Sequence, residues 1–205
     1  PVDGFWTPIL MTIIILTLFV GNISALMQSS FKRMLAYSSI SHAGYMLFAI
    51  VSIGANSASG IFTYAIAYSL ASVVAFAGLI LVKRSVGSDL FESFNGLAKT
   101  NPWLAFVLTV AMLSLAGIPL TGGFIGKFMM FSAAMGEYHV MLLILAAINA
   151  AIGVYYYLRV VVSMYFKTAD NPKIVLPVYY QIVFFVGLAL TIILGVYPNC
   201  IIGLI

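Results

Sequence analysis

The chain has 205 residues, 63% of them hydrophobic and 7% charged, with a mean hydropathy of +1.15. Such a composition excludes a soluble globular domain and describes an integral membrane protein with room for about six helical spans. The formal charge of +4 is no nucleic-acid footprint, since the Lys and Arg lie almost entirely at the ends of apolar stretches, and a single cysteine, Cys200, excludes an internal disulfide.

The chain starts on proline, shows no signal-peptide pattern, and is read as the C-terminal part of a longer protein. Six spans are predicted in order. The first covers Thr7 to Met27, and a short polar link, Gln28 to Arg33, leads to the second, Met34 to Gly54. An uncharged turn, Ala55 to Ser59, precedes the third, Gly60 to Val82. Lys83 to Asn101 is the longest polar stretch. It is predicted to hold a short amphipathic helix with Asp89 and Glu92 in its first turn, where the helix dipole favours acids. The fourth span, Pro102 to Met135, is followed by a turn at Gly136 to His139. The fifth runs from Val140 to Phe166. After a polar link with two prolines, the sixth runs from Val178 to Val196.

The fourth span is too long to be one straight helix. At ~1.5 Å per residue it would reach ~50 Å, against a hydrocarbon core of ~30 Å. Gly117, Pro119, Gly122 and Gly123 lie together inside it. Proline removes a backbone donor and clashes with the preceding turn, and glycine weakens helix. A discontinuous helix broken over 117–123 is predicted. Lys127 follows the break at roughly mid-bilayer depth, where an ammonium costs ~2.5–3.5 kcal/mol on the mildest insertion scale. Broken backbone at that depth is tolerated only where it is buried in protein or lines a watery cavity. Together the two features point to ion movement. The structural alternative is a lysine that caps the carbonyls freed by the break.

The basic residues assign an orientation. Lys32, Arg33, Lys83, Arg84, Lys99, Lys167 and Lys173 fall in alternate links, and the other links and both ends carry no Lys or Arg. The positive-inside rule places those links in the cytoplasm and both ends of the chain on the outer side.

Polar residues inside spans must face protein or a cavity. In the second span Ser38, Ser41, His42, Tyr45 and Ser52 fall on one face. Histidine titrates near neutral pH and passes a proton through either ring nitrogen, so His42 is read as a proton relay or as a histidine hydrogen-bonded between packed helices. Tyr64, Tyr68 and Ser72 share a face of the third span, and Asn149, Tyr156 and Ser163 one of the fifth, with Arg159 at its margin. These groups either pack between helices or hold a water chain. Arg159 snorkels or pairs at the inner interface, or gates the inner mouth. Asn22 reads as a helix–helix hydrogen bond. No paired carboxylates lie in the spans, and no metal set, phosphate loop, dinucleotide fingerprint or haem and iron–sulfur ligand pattern is visible.

Four stretches together resemble one family. They are Gly21–Tyr45 (GNISALMQSSFKRMLAYSSISHAGY), Ser114–Phe128 (SLAGIPLTGGFIGKF), Gly96–Pro102 (GLAKTNP) and Asn149–Arg159 (NAAIGVYYYLR). The chain resembles, along essentially its whole length, the antiporter-like subunits of respiratory complex I, the NADH–quinone oxidoreductases, and most closely their subunit N branch. The resemblance implies an all-α membrane fold with two inverted five-helix repeats, each with one broken helix. The first five spans here would form the second repeat and the sixth the last helix. The N-terminal repeat of the same protein is then a partner, beside other membrane subunits of complex I and the lipid bilayer. The family lysine beyond the second break matches Lys127, and its mid-membrane histidine matches His42. A neighbouring branch commonly carries glutamate at the lysine position, which argues against that branch. The implied function is proton translocation through Lys127, driven by quinone reduction elsewhere, with Ser38, Ser41, Tyr45, Tyr68, Asn149, Tyr156 and Arg159 as a polar path. No cofactor is expected in this chain: NAD, FMN, iron–sulfur clusters and quinone would belong to partner subunits. The implied location is a bacterial plasma membrane. The competing readings are an antiporter-like subunit of a cation/proton antiporter or membrane-bound hydrogenase complex, and a structural scaffold.

Overall fold

The computed structural model describes residues 3–51, 57–134, 140–169 and 171–198. Its described apolar stretches are helical, as hydrocarbon requires of backbone that must satisfy its own hydrogen bonds. The helices are α1 (Asp3–Leu26), α2 (Phe31–Val51), α3 (Ser57–Val86), α4 (Leu97–Thr100), α5 (Pro102–Ala116), α6 (Gly122–Ala134), α7 (Val140–Phe166) and α8 (Val178–Val196). Five of them (α1, α2, α3, α7 and α8) are long and apolar enough to cross a membrane. The other predicted span is split into α5, 15 residues, and α6, 13 residues. At ~1.5 Å per residue each half falls short of the ~30 Å core.

The third helix is the hub. It packs against α2, α5, α6 and α8, while α1 lies along α2 and α7. Large apolar side chains such as Leu16, Val20, Ile144, Ile148, Ile182 and Phe185 point outward from α1, α7 and α8. In water such a surface would be unstable, and it suits a bundle that crosses a membrane. Two apolar clusters fill the interior. One surrounds Phe31, Phe94, Leu104 and Leu108 and includes Tyr157. The other surrounds Ile14, Leu18, Phe48 and Met130 and includes Tyr64.

The structure revises the predicted elements in three places. The third helix runs on to Val86, so Lys83 and Arg84 are its last turn, where cations suit the dipole. The amphipathic helix predicted in the long link is instead a 3-10 turn, Phe91–Phe94, followed by the single turn of α4. Only Glu92 lies in a first turn. Asp89 precedes it and accepts a hydrogen bond from Ser30 Oγ at 2.9 Å. A link that must grip two neighbours gains more from such contacts than from continuing a short helix. Helix also resumes at Gly122, so the break covers 117–121, and Gly122 and Gly123 open α6. Of the turn predicted at 55–59, residues 57–59 already belong to α3, and 55 and 56 lie outside the described residues, as do the turn predicted at 136–139, Ser52, Glu137 and Cys200.

Polar clasps close the basic end of the bundle. Ser163 Oγ donates to Phe91 O at 2.8 Å, which assigns this α7 hydroxyl to the link and not to a path. Asn101 donates to Ile174 O and accepts from Ile174 N–H, both at 2.8 Å and both buried. Asn101→Ala leaves both backbone groups without a partner, at about 1–3 kcal/mol each. Hydrogen exchange on the full-length protein in membranes is expected to quicken at Ile174 and its neighbours in the link while α8 keeps its protection.

Candidate functional site

The broken helix builds the lysine's place. An α-helix leaves its last four carbonyls without intrahelical donors. In α5 these are Leu113, Ser114, Leu115 and Ala116. Gly117 takes the left-handed conformation at φ +83°, where its N–H reaches Ser114 O at 3.0 Å and the Ile118 N–H reaches Leu113 O at 2.9 Å. That is a Schellman closure, and it serves the first two carbonyls. Lys127, five residues into α6, serves the other two: Nζ donates to Leu115 O at 3.1 Å and Ala116 O at 3.0 Å. The start of α6 is satisfied in turn, with the Gly123 N–H donating to Ser114 Oγ at 3.2 Å.

Two glycines make this geometry possible. Gly117 needs its positive φ, and a Cβ there would stand 2.8 Å from Lys127 Cδ. A Cβ on Gly123 would stand 1.8 Å from Ser114 O, so the two half-helices meet only without one. Gly122 lies against Leu194 of α8 and Ala67 of α3. Pro119 and Leu120 form the tip of the break, with Leu120 itself at φ 72°.

Lys127 is 6% exposed. Its Nζ stands 5.1 Å from the ring centroid of Tyr45, a cation–π approach that also links α6 to α2. The Tyr45 ring lies 6.2 Å from that of His42, one turn back on the same helix. The Tyr45 hydroxyl is buried and has no hydrogen-bond partner among the described residues. His42 is 2% exposed. Tyr64 Oη of α3 bonds to its Nδ1, and Tyr157 Oη of α7 to its Nε2 at 2.9 Å. The Tyr68 ring lies 4.6 Å away, centroid to centroid. His42 therefore joins the two apolar clusters where α2, α3 and α7 meet.

The predicted site residues divide into four sets. Lys127, His42, Tyr45 and Tyr68 come together around this centre. Asn149 and Tyr156 form a neighbouring chain between α1 and α7: Asn22 Nδ2 donates to Asn149 Oδ1 at 3.1 Å, and the Tyr156 hydroxyl to Asn22 Oδ1 at 2.9 Å. Ser38 and Ser41 face inward but donate to carbonyls of their own helix, Leu35 O and Ser38 O. Arg159 stands apart from all of these. It is exposed at the basic end, donates to Gln28 O at 3.2 Å, and lies 4.4 Å from the Phe91 ring centroid. It caps the end of α1, as a cation suits a helix C-terminus.

Two tyrosines of this centre fell outside the predicted path. Tyr64 shares a face of the third span with Tyr68, read as packing or as holding a water chain, and only Tyr68 was placed on the path. Tyr157 was hidden in the run Tyr155–Tyr157, where helical spacing from Asn149 selects Tyr156 first.

Residues 1–153 match the family model described as NADH:quinone oxidoreductase/Mrp antiporter, transmembrane. NADH-quinone oxidoreductase subunit N of Flavobacterium psychrophilum is 39% identical over 197 residues, 96% of this chain and 43% of that protein. A chain of respiratory complex I from Thermus thermophilus with bound aureothin superposes with a TM-score of 0.83 at 33% identity, covering 96% of this chain and 45% of its own. A chain of the membrane-bound sulfane sulfur reductase, an archaeal respiratory membrane complex, gives 0.87 at 28% identity, covering 96% and 40%. This chain thus spans less than half the length of the relatives it matches.

The break offers a direct test. Gly117→Ala forces a Cβ into a left-handed position, at about 1–2 kcal/mol, and presses on Lys127 as well. The full-length protein in detergent is expected to unfold at a lower temperature, and an unchanged midpoint would show that the helix closure does not rest on Gly117.

Proposed function

On the premise that this chain belongs to the NADH:quinone oxidoreductase/Mrp antiporter transmembrane family, we propose that it is the C-terminal part of a proton-translocating membrane subunit of an NADH–quinone oxidoreductase, of the subunit N kind. One observation carries the reading: the buried ammonium of Lys127 caps a broken helix and faces, across Tyr45, a histidine bonded at both ring nitrogens. The lysine is the site that loads and releases the proton, and His42 lies on the way to it. On this reading the N-terminal repeat of the same protein supplies the other half of the path. Redox chemistry belongs to partner subunits that hold flavin, iron–sulfur clusters and quinone, and this chain holds no redox site. The charge pattern of the links supports a bacterial plasma-membrane topology with both ends of this stretch on the outer side.

The same fold supports a second reading, an antiporter-like subunit of an ion-exchanging or sulfur- or hydrogen-metabolising complex, favoured by the similarity to the sulfane sulfur reductase chain. Native electrophoresis of gently solubilised membranes separates the two. The polypeptide is expected in a band that oxidises NADH and contains flavin and iron–sulfur signals. Its presence in a band without them would move the assignment to the second reading.

Lys127→Met in the full-length protein tests the lysine. Its capping role predicts a somewhat less stable complex, because two carbonyls lose their donor. Its proton-carrying role predicts more: in the complex that does assemble, proton movement per electron falls. Normal proton movement in that fraction would leave Lys127 as a cap only.

A further inference from the structure

His42 is held by a hydroxyl on each side. A histidine fixed for packing is commonly tied by a carbonyl or carboxylate, which accepts only and so settles which nitrogen carries hydrogen. A phenol both donates and accepts. Neutral imidazole needs one donor and one acceptor, whereas imidazolium needs two acceptors. Two phenols meet both demands without any side chain moving, because each hydroxyl hydrogen turns about its own C–O bond. Both rings are clamped: Tyr64 and Tyr157 are each 1% exposed, and the backbone of Gly126 lies against Tyr64.

The surroundings supply no fixed counter-charge at this point. The ionisable side chains facing His42 are Tyr45 from its own helix, Tyr64 and Tyr68 from α3, Tyr157 from α7, and Lys127 from α6. No carboxylate lies in the spans to hold the histidine permanently charged.

We propose that Tyr64 and Tyr157 are positioning residues that let His42 gain and lose a proton in place, and so pass it from the α3 side to the α7 side or back. The phenol that was donating takes up a proton on the far side of its oxygen and passes its own hydrogen to the accepting nitrogen, which it then faces as an acceptor. The opposite nitrogen then gives its proton to the other phenol's oxygen, which releases its own hydrogen on the far side and now donates. One proton has entered and one has left, each oxygen has formed one O–H bond and broken one, one N–H bond has formed and one has broken, and the tautomer has reversed. The starting state returns only when the tautomer and both hydroxyls reverse together. The inference deepens the reading of His42 given above and rests on it.

The test uses the assembled complex carrying full-length protein with ring-15N histidine. Redox-induced infrared difference spectra are compared between the native protein and His42→Gln, which isolates the His42 contribution. An imidazolium band is expected in the native protein. In Tyr64→Phe and Tyr157→Phe one ring N–H loses its acceptor, and losing one hydrogen bond of about 1 kcal/mol slows proton-coupled turnover about fivefold. The imidazolium band is expected to shrink, while electron input to an artificial acceptor that bypasses the membrane stays unchanged. If a Phe variant does not assemble, fluorinated tyrosine at the same position keeps the shape and changes the phenol's proton affinity, and coupled turnover is expected to change. A native protein without a His42 imidazolium band overturns the inference, as does the same band and turnover in both Phe variants, or in the fluorinated proteins where those are used. Pumping that is lost in Lys127→Met while His42 never charges would leave the proposed function standing and remove only this step.

Discussion

Everything in this fold depends on the closure of one helix end inside hydrocarbon. Breaking a transmembrane helix frees backbone groups at a depth where lipid offers them nothing, and each unpaired group costs several kcal/mol. Here the closure is divided. The turn at Gly117 serves two carbonyls of α5, and Lys127 serves the remaining two. The negative end of the helix dipole lies at the same place and favours the cation. A neutral amine still has two N–H groups, so losing a proton weakens the cap without abolishing it. The lysine is therefore structural and chemically free at once, and the two alternatives left open by the sequence are not exclusive.

Hydrogen-bond accounting also separates polar residues that bind helices together from those able to carry a proton. Ser38 and Ser41 commit their hydroxyl hydrogens to carbonyls of their own helix. Asn22, Asn149 and Tyr156 form a chain closed by the Asn149 bond to Leu145 O. These groups stabilise the packing of α1, α2 and α7. What remains is Lys127, Tyr45, and His42 with its two phenols. In this set both nitrogens of His42 have reversible partners, Tyr45 has none among the described residues, and Lys127 holds its two carbonyls with an amine that keeps N–H donors in either charge state. A relay needs reversibility, and amides and back-bonded serines do not supply it.

The fold was legible because hydrocarbon makes few demands and makes them strictly. Long apolar runs have to be helices, and the excess length of the fourth run, with Gly117 and Pro119 in it, exposed the break. The sequence did not show where helix resumes. Gly122 and Gly123 read as breakers but open α6, because their lack of a side chain serves close packing against α5, α3 and α8. The long link was misread for a related reason. Asp89 and Glu92 have the pattern of a helix start, yet Asp89 is taken by Ser30, a tertiary contact that no local pattern contains. In the site, the inward face of α2 was readable from its period. The partners of His42 were not, because Tyr64 and Tyr157 come from helices 22 and 115 residues away in sequence and look like packing aromatics until the helices are assembled.

The charge inventory carries the last step. The five acids are Asp3, Asp89, Glu92, Glu137 and Asp170, and none lies within an apolar span. The interior thus offers two groups that become positive on protonation, Lys127 and His42, and no carboxylate to neutralise either. Two like charges in a medium of low dielectric repel strongly. On the proposed reading this makes occupancy exclusive: a proton on one site works against a proton on the other, and movement from one to the other is a transfer rather than an accumulation. Any negative charge that draws a proton towards Lys127 has to come from outside these spans, from the N-terminal repeat or a neighbouring subunit. The site is then sensitive to its surroundings by construction. That is the property a remote redox event needs if it is to drive an ion across the membrane without a redox centre nearby.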